Sequence, residues 1–192
     1  MKAVPDCSAD VAELQYTGKT QYPEEMMIDP KRMGRYERIY TQLHELISGK
    51  SPTLTAAMST IAAVLHFKLP HHFWTGFYFV TGPDQLFAGP YQGPVACQVL
   101  KGRGLCLKAA VSAQPVIVED VTVLEDHIAC DARSKSEIVI PVRYQNRVAA
   151  VLDIDSDKAA QFDGDDIAPL QRITGLLGPF LKKDDGHLFT GI

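Results

Sequence analysis

The segment HIACDARSKSEIVIP, residues 127–141, places a thiol, Cys130, beside Asp131 and then runs into an apolar strand that opens on Glu137. A second stretch, VAAVLDIDS at 148–156, carries Asp153 and Asp155 near its end. A thiol kept only for packing more often sits among apolar neighbours, so the surroundings of Cys130 suggest reactivity. Three further cysteines are present, Cys7, Cys97 and Cys106. Three chemistries suit such a set. Each thiol can be a small core group, which fits GLCLKAA around Cys106 and fits HIACDARS poorly. Cys97, Cys106, Cys130 and His127 can be zinc ligands, but no pair has the Cys-x-x-Cys spacing usual in structural sites, and no bound metal is expected. Or one thiol attacks, a second resolves, and a cellular dithiol restores both. Spacing alone does not choose among them.

The strands that carry the acids decide where the acids point, because successive side chains on a strand face opposite sides. Ile138, Ile140 and Val142 share one face, with Glu137, Val139 and Pro141 on the other. On the second strand Ala150, Leu152 and Ile154 share a face, with Asp153 and Asp155 opposite. A plain two-residue loop at Gln145-Asn146 would set Glu137 against Ile154 and mix carboxylates into the apolar side. One extra residue, or an equivalent bulge, pairs Glu137 with Asp155 instead and leaves one clean apolar face. Register follows the apolar face, so this second pairing is expected. It gathers Glu137, Asp153 and Asp155 on the opposite side, where three acids on a solvated sheet face would be the plainer explanation.

The remaining elements frame that hairpin. Met33, Tyr36, Ile39, Tyr40, Leu43 and Ile47 follow helical spacing over 31–47, after the start signal Asp29-Pro30 and before Gly49. A second, apolar helix is expected over 53–67. FWTGFYFV at 73–80 and QLFAGPYQG at 85–93 read as a hairpin across Gly82-Pro83-Asp84. GRGLCLKAAVSAQ reads as a glycine-led turn into a short helix carrying Cys106, PVIVEDV as a strand, 124–136 as loop or irregular helix, and 163–182 as a closing amphipathic helix capped by Asp163. Helices at both ends with five or six mostly hairpin-connected strands between them make an α+β domain. The expected division is an N-terminal extension at 1–28, one domain at 29–182 and a tail at 183–192.

Composition narrows the function classes. A chain of 192 residues is sized for one domain with a sizeable core. A net charge of −4 with no basic cluster gives no footprint for nucleic acid. No apolar run reaches the length of a membrane span, and MKAVPDCSADVAELQ lacks the apolar core of a signal peptide. A cytoplasmic setting is therefore expected, in which a disulfide is more often catalytic than structural.

WTGFYFV, GPYQGPVAC, GRGLC, EDVTVLEDHIACDARSKSEIVIPV and VAAVLDIDS, in this order over 73–162, resemble the free methionine-(R)-sulfoxide reductases, a family of GAF domains. The resemblance implies a six-stranded, mainly antiparallel sheet with helices packed on one face and the ligand pocket on the other, often in a homodimer. It implies thiol-dependent reduction of free methionine-(R)-sulfoxide, with no bound cofactor and a thioredoxin-like protein as external reductant. Position by position, Cys130 matches the attacking cysteine, Cys97 a partner for its disulfide and Cys106 the third cysteine. Glu137 and Asp155 match the acids that hold the sulfoxide oxygen, and Asp153 lies in the same DID motif. Trp74 and Tyr78 match pocket aromatics around the methyl-sulfur end, and Asp120 a contact for the substrate ammonium. The chain departs from the family pattern in its Cys97–Cys106 spacing of nine, one fewer than usual, and in Leu107 where glycine follows the second cysteine. On this reading the acids do not activate the thiol, since their charge hinders thiolate formation; a carboxyl crowded by carboxyls keeps a proton for the departing oxygen. The other reading of a GAF domain is a sensor that binds a small ligand without turnover. Several thiols beside convergent acids exceed what passive binding requires.

Overall fold

The computed structural model describes residues 29–123 and 133–184. Helix α1 runs from Pro30 to Ile47, its first turn closed by the Asp29 side chain, which accepts from the Lys31 N–H at 2.9 Å. It buries Tyr36, Ile39, Leu43 and Ile47, the stripe that helical spacing demands. Helix α2, Leu54–Lys68, starts on Thr53, whose hydroxyl accepts from the Ala56 N–H at 3.1 Å.

The strands are β1 (His72–Gly82), β2 (Gln85–Gln92), β3 (Val99–Lys101), β4 (Val116–Val118), β5 (Ser136–Tyr144) and β6 (Arg147–Ser156). They form one sheet in the order β3-β2-β1-β6-β5-β4, antiparallel at every pairing. The β5–β6 hairpin turns through Gln145-Asn146, pairing Tyr144 with Arg147 and Arg143 with Val148. The register then shifts, Val142 pairs with Ala150, and Ala149 is the extra residue of a bulge. From there the ladder reaches Glu137 opposite Asp155, the pairing expected from the apolar alternation. Ile138, Ile140, Val142, Ala150, Leu152 and Ile154 accordingly join one core with α1, α2, Leu170, Ile173, Leu177 and Leu181.

Two features differ from expectation. The closing helix is broken into α4 (Gly164–Thr174), a 3-10 turn at Gly175–Leu177 and α5 (Gly178–Asp184). Glycines at 175 and 178 explain the break, since each weakens a helix by about 1 kcal/mol relative to alanine. The short helix α3, Leu105–Ser112, does not join α1, α2, α4 and α5 on the common face. It packs on β5 and β6 from the other side, within a second apolar cluster that includes Trp74, Tyr78, Val139 and Val151.

The two ends of the domain are tied by a buried polar knot. Asp166 in α4 accepts from the Tyr36 hydroxyl at 2.7 Å and from the Asp163 N–H at 3.0 Å, and sits 3.3 Å from the Arg32 guanidinium. Arg32 also donates to Asp163. Asp166→Ala should lower stability by about 2 kcal/mol, because it removes half of a capping box and strands a buried phenol. Thermal unfolding checks this, with roughly 2–4 °C expected for each kcal/mol.

Candidate active site

The face of the sheet turned away from the main core carries the acids. Glu137 and Asp155 are direct neighbours across β5 and β6, and Asp153 lies one pleat along from Asp155. On the other side of β6, Trp74 pairs with Asp155 and Gly76 with Asp153. The roof is α3. Gly102 and Gly104 adopt φ values of 78° and 110°, which glycine reaches without a Cβ clash, and this turn sends α3 back over the acids. The result is a cavity of about 50 Å³ lined by Phe73, Trp74, Tyr78, residues 94–96, Leu100, residues 103–106 and the three carboxyls.

Burial governs the electrostatics. Glu137 and Asp153 are each 6% exposed. Burial pushes the Glu137 carboxyl well above its usual range, and the negative charges of Asp153 and Asp155 push it further. Asp153 rises for the same reasons, burial first and Asp155 second, against hydrogen bonds from Cys106, Glu137 and the Ile154 N–H that favour its charge. The group therefore retains a proton where isolated carboxylates would have released it. Asp155, half-buried, accepts from the Ser134 hydroxyl at 2.6 Å. Cys106 is buried against Asp153 and Glu137, and burial together with those charges drives its thiol well above the ordinary range. It stands there as a neutral donor.

The aromatic wall is equally defined. Trp74 stacks on Tyr78 at 5.6 Å between centroids and on Tyr91 at 5.4 Å, with interplanar angles of 22° and 19°. Its ring lies over Gly76, where no side chain stands in the way.

The structure thus brings Glu137, Asp153, Asp155, Cys106, Trp74 and Tyr78 to one cavity. Cys97 is half-buried, is not joined to Cys106 and does not line the cavity, although residues 94–96 do. Asp120 is not among the residues that line the cavity; its Oδ1 accepts from the Thr122 N–H at 2.9 Å and hydroxyl at 2.6 Å in a local turn. Cys130 lies outside the described residues, as do Asp131, His127 and Cys7. Arg103, Phe73 and Ser134 were not foreseen. Arg103 has a sequence signal in its place between the two glycines of GRG, whereas Ser134 has none beyond its nearness to Glu137.

A fully antiparallel six-stranded sheet, helices over one face and a polar cavity beneath a short helix on the other define a domain of the GAF class. The GAF domain profile matches residues 53–182. GAF domain-containing protein A of Dictyostelium discoideum is 40% identical over 144 residues, covering 74% of this chain and 90% of the relative. Free methionine-R-sulfoxide reductase of Escherichia coli is 36% identical over 155 residues, covering 80% and 93%. The X-ray structure of free methionine-R-sulfoxide reductase from Neisseria meningitidis in complex with its substrate superposes with a TM-score of 0.75 at 34% identity, covering 85% of this chain and 98% of that one. The chain belongs to the free methionine-R-sulfoxide reductase family of GAF-domain proteins.

Proposed function

We propose that this cavity reduces free methionine-(R)-sulfoxide to methionine, with Cys130 as nucleophile and the Glu137–Asp153–Asp155 group as proton donor and oxygen cradle. The observation that carries the reading is the buried cluster of carboxyls that keeps a proton beside an aromatic wall. A sulfoxide oxygen accepts hydrogen bonds and must gain a proton as the S–O bond breaks, which a protonated carboxyl supplies. The Cys130 thiolate forms a bond to the sulfoxide sulfur. The oxygen takes a proton from the carboxyl group and passes to the Cys130 sulfur as both the S–O bond and the new S–S bond break, leaving methionine and a Cys130 sulfenic acid. The Cys97 thiol then condenses with that sulfenic acid, releasing water and forming a disulfide, and a thioredoxin-like dithiol reduces the bridge. Trp74 and Tyr78 take the methyl-sulfur end.

Reach supports the nucleophile assignment. Cys130 is four residues upstream of Ser134, whose hydroxyl touches Asp155, and four residues of chain span at most roughly 14 Å. Cys106 suits a different part, because its thiol is held neutral and donates to Asp153. The activity named for the Escherichia coli relative supports the substrate assignment. A cytoplasmic setting suits the dithiol step, and no helix among the described residues is long and apolar enough to cross a membrane.

The direct test mixes fully reduced protein with free methionine sulfoxide and counts the remaining thiols. Two thiols per chain should disappear as methionine forms, whereas a sensor module would lose none. Cys130→Ser should abolish methionine formation. Cys97→Ser should form about one methionine per chain and then stop, because the sulfenic acid lacks its resolving thiol. Continued turnover by the Cys130 variant would remove the nucleophile assignment.

A further inference from the structure

Cys106 Sγ, a Glu137 carboxyl oxygen and an Asp153 carboxyl oxygen all lie within 4.8 Å of one another, and all three residues are buried. Asp153 Oδ1 has no hydrogen-bond partner among the described residues, although Asp153 is only 6% exposed. A buried oxygen left unsatisfied in this way carries a desolvation penalty of about 1–3 kcal/mol, which a proton-bearing group or a cation would relieve. The cluster otherwise limits its buried negative charge by retaining protons. A cation does the same work by displacing them.

We propose that Cys106, Glu137 and Asp153 form a binding site for one thiophilic divalent cation of the zinc class, which occupies the place that receives the sulfoxide oxygen. The sulfur ligand selects a borderline-soft ion over magnesium or calcium, which take six or more oxygens. Tetrahedral zinc holds sulfur and oxygen ligands roughly 3.3–3.5 Å apart, inside the 4.8 Å that bounds these three atoms, so small side-chain adjustments close them around the ion. Asp155 or a water completes the fourth position from the cavity side. Binding releases the Cys106 thiol proton and the proton shared by the carboxyls, so uptake is accompanied by acidification. With the ion in place the carboxyls have no proton to give, and the cavity is closed to the sulfoxide. The site itself does not depend on the activity proposed above; only the inhibition does.

Cadmium is the probe, because its bond to a thiolate absorbs in the ultraviolet. The chain carrying Cys7→Ser, Cys97→Ser and Cys130→Ser retains Cys106 as its one thiol. Titrated with cadmium, it should develop the thiolate band with an end point of one ion per chain, release protons, and lose the band to added zinc. Adding Glu137→Gln or Asp153→Asn to this chain should weaken cadmium binding by more than about tenfold, since even outer partners of a metal ligand are worth 10–100-fold. The paired variants guard against one that fails to fold, which the fluorescence of the single tryptophan, Trp74, reports. No band in the single-thiol chain, or a band untouched by both carboxyl substitutions, overturns the site. Zinc should then inhibit methionine formation by the unaltered chain in competition with the sulfoxide. An unaltered chain that binds cadmium but forms no methionine without metal would count against the activity and leave the site standing.

Discussion

Glu137→Gln should lower kcat for free methionine sulfoxide by about 10²–10⁴, the range for loss of a general acid, while KM changes little. The amide keeps the shape of the carboxyl and can still donate to the sulfoxide oxygen, so binding survives. It has no proton to give up as the S–O bond breaks, so turnover does not. The same substitution should have the opposite effect on stability. In the unfolded chain the Glu137 carboxyl ionises near its ordinary value of 4.5, whereas in the fold burial and the charges of Asp153 and Asp155 hold it well above that. Below the unfolded value both states carry the proton and its favourable contribution is fully present. As pH rises toward and through the folded value, the native state binds more protons than the unfolded one, and stability declines. Glutamine has no such decline. The Tm advantage of the variant over the unaltered chain should therefore widen from acid to alkaline pH, at roughly 2–4 °C for each kcal/mol. Activity of the unaltered chain should fall over the same alkaline limb. A glutamine variant with undiminished kcat, or one less stable by the same amount at every pH, would show that the Glu137 proton is not the one used. Such opposed effects are expected where a site holds charge that its fold would rather exclude.

The hairpin that carries these acids was legible because its apolar face tolerates only one register. Six alternating aliphatic residues demanded a slip of one position between turn and ladder, and the bulge at Ala149 supplies it. Helices α1 and α2 were legible for a similar reason, with Asp29-Pro30 and Thr53 marking their starts. The position of α3 was not. Eight residues with small apolar groups on most sides pack on either face of a sheet, and the deciding signal is the pair of positive-φ glycines before it, whose direction the sequence does not state. That one placement turned Cys106 from a plain third cysteine into a neutral donor against Asp153. Strand β3 escaped notice because three residues are too few for alternation to register. Asp120 carries no signal that separates a turn from a ligand contact, because an aspartate two residues before a threonine serves a turn as readily as it serves an ammonium.

Gly76→Ala should disturb the aromatic wall strongly. A Cβ at position 76 would stand 2.3 Å from the Tyr91 Cβ and 2.5 Å from the Trp74 Cη2, closer than such contacts are tolerated. The Tyr91 Cβ is one bond from the backbone of β2 and cannot swing aside, so either β1 and β2 part or the indole leaves its seat. Overpacking of this kind costs about 1–3 kcal/mol, and Tm should fall accordingly. Trp74 is the single tryptophan and is 3% exposed between Tyr78 and Tyr91, so its emission reports the wall directly. The emission should shift to the red in the variant, and, if the wall takes the methyl-sulfur end as proposed and gives no proton, KM for methionine sulfoxide should rise more than kcat falls. Gly175→Ala provides the contrast: nothing stands within 4 Å of its added Cβ, its φ is an ordinary −58°, and it should leave emission and KM alone while stabilising the chain by about 0.4–1 kcal/mol. Unchanged emission and KM in the alanine-76 chain would mean that the indole does not set the shape of the cavity, and the methyl group would have to be held by Phe73 and Leu100 instead.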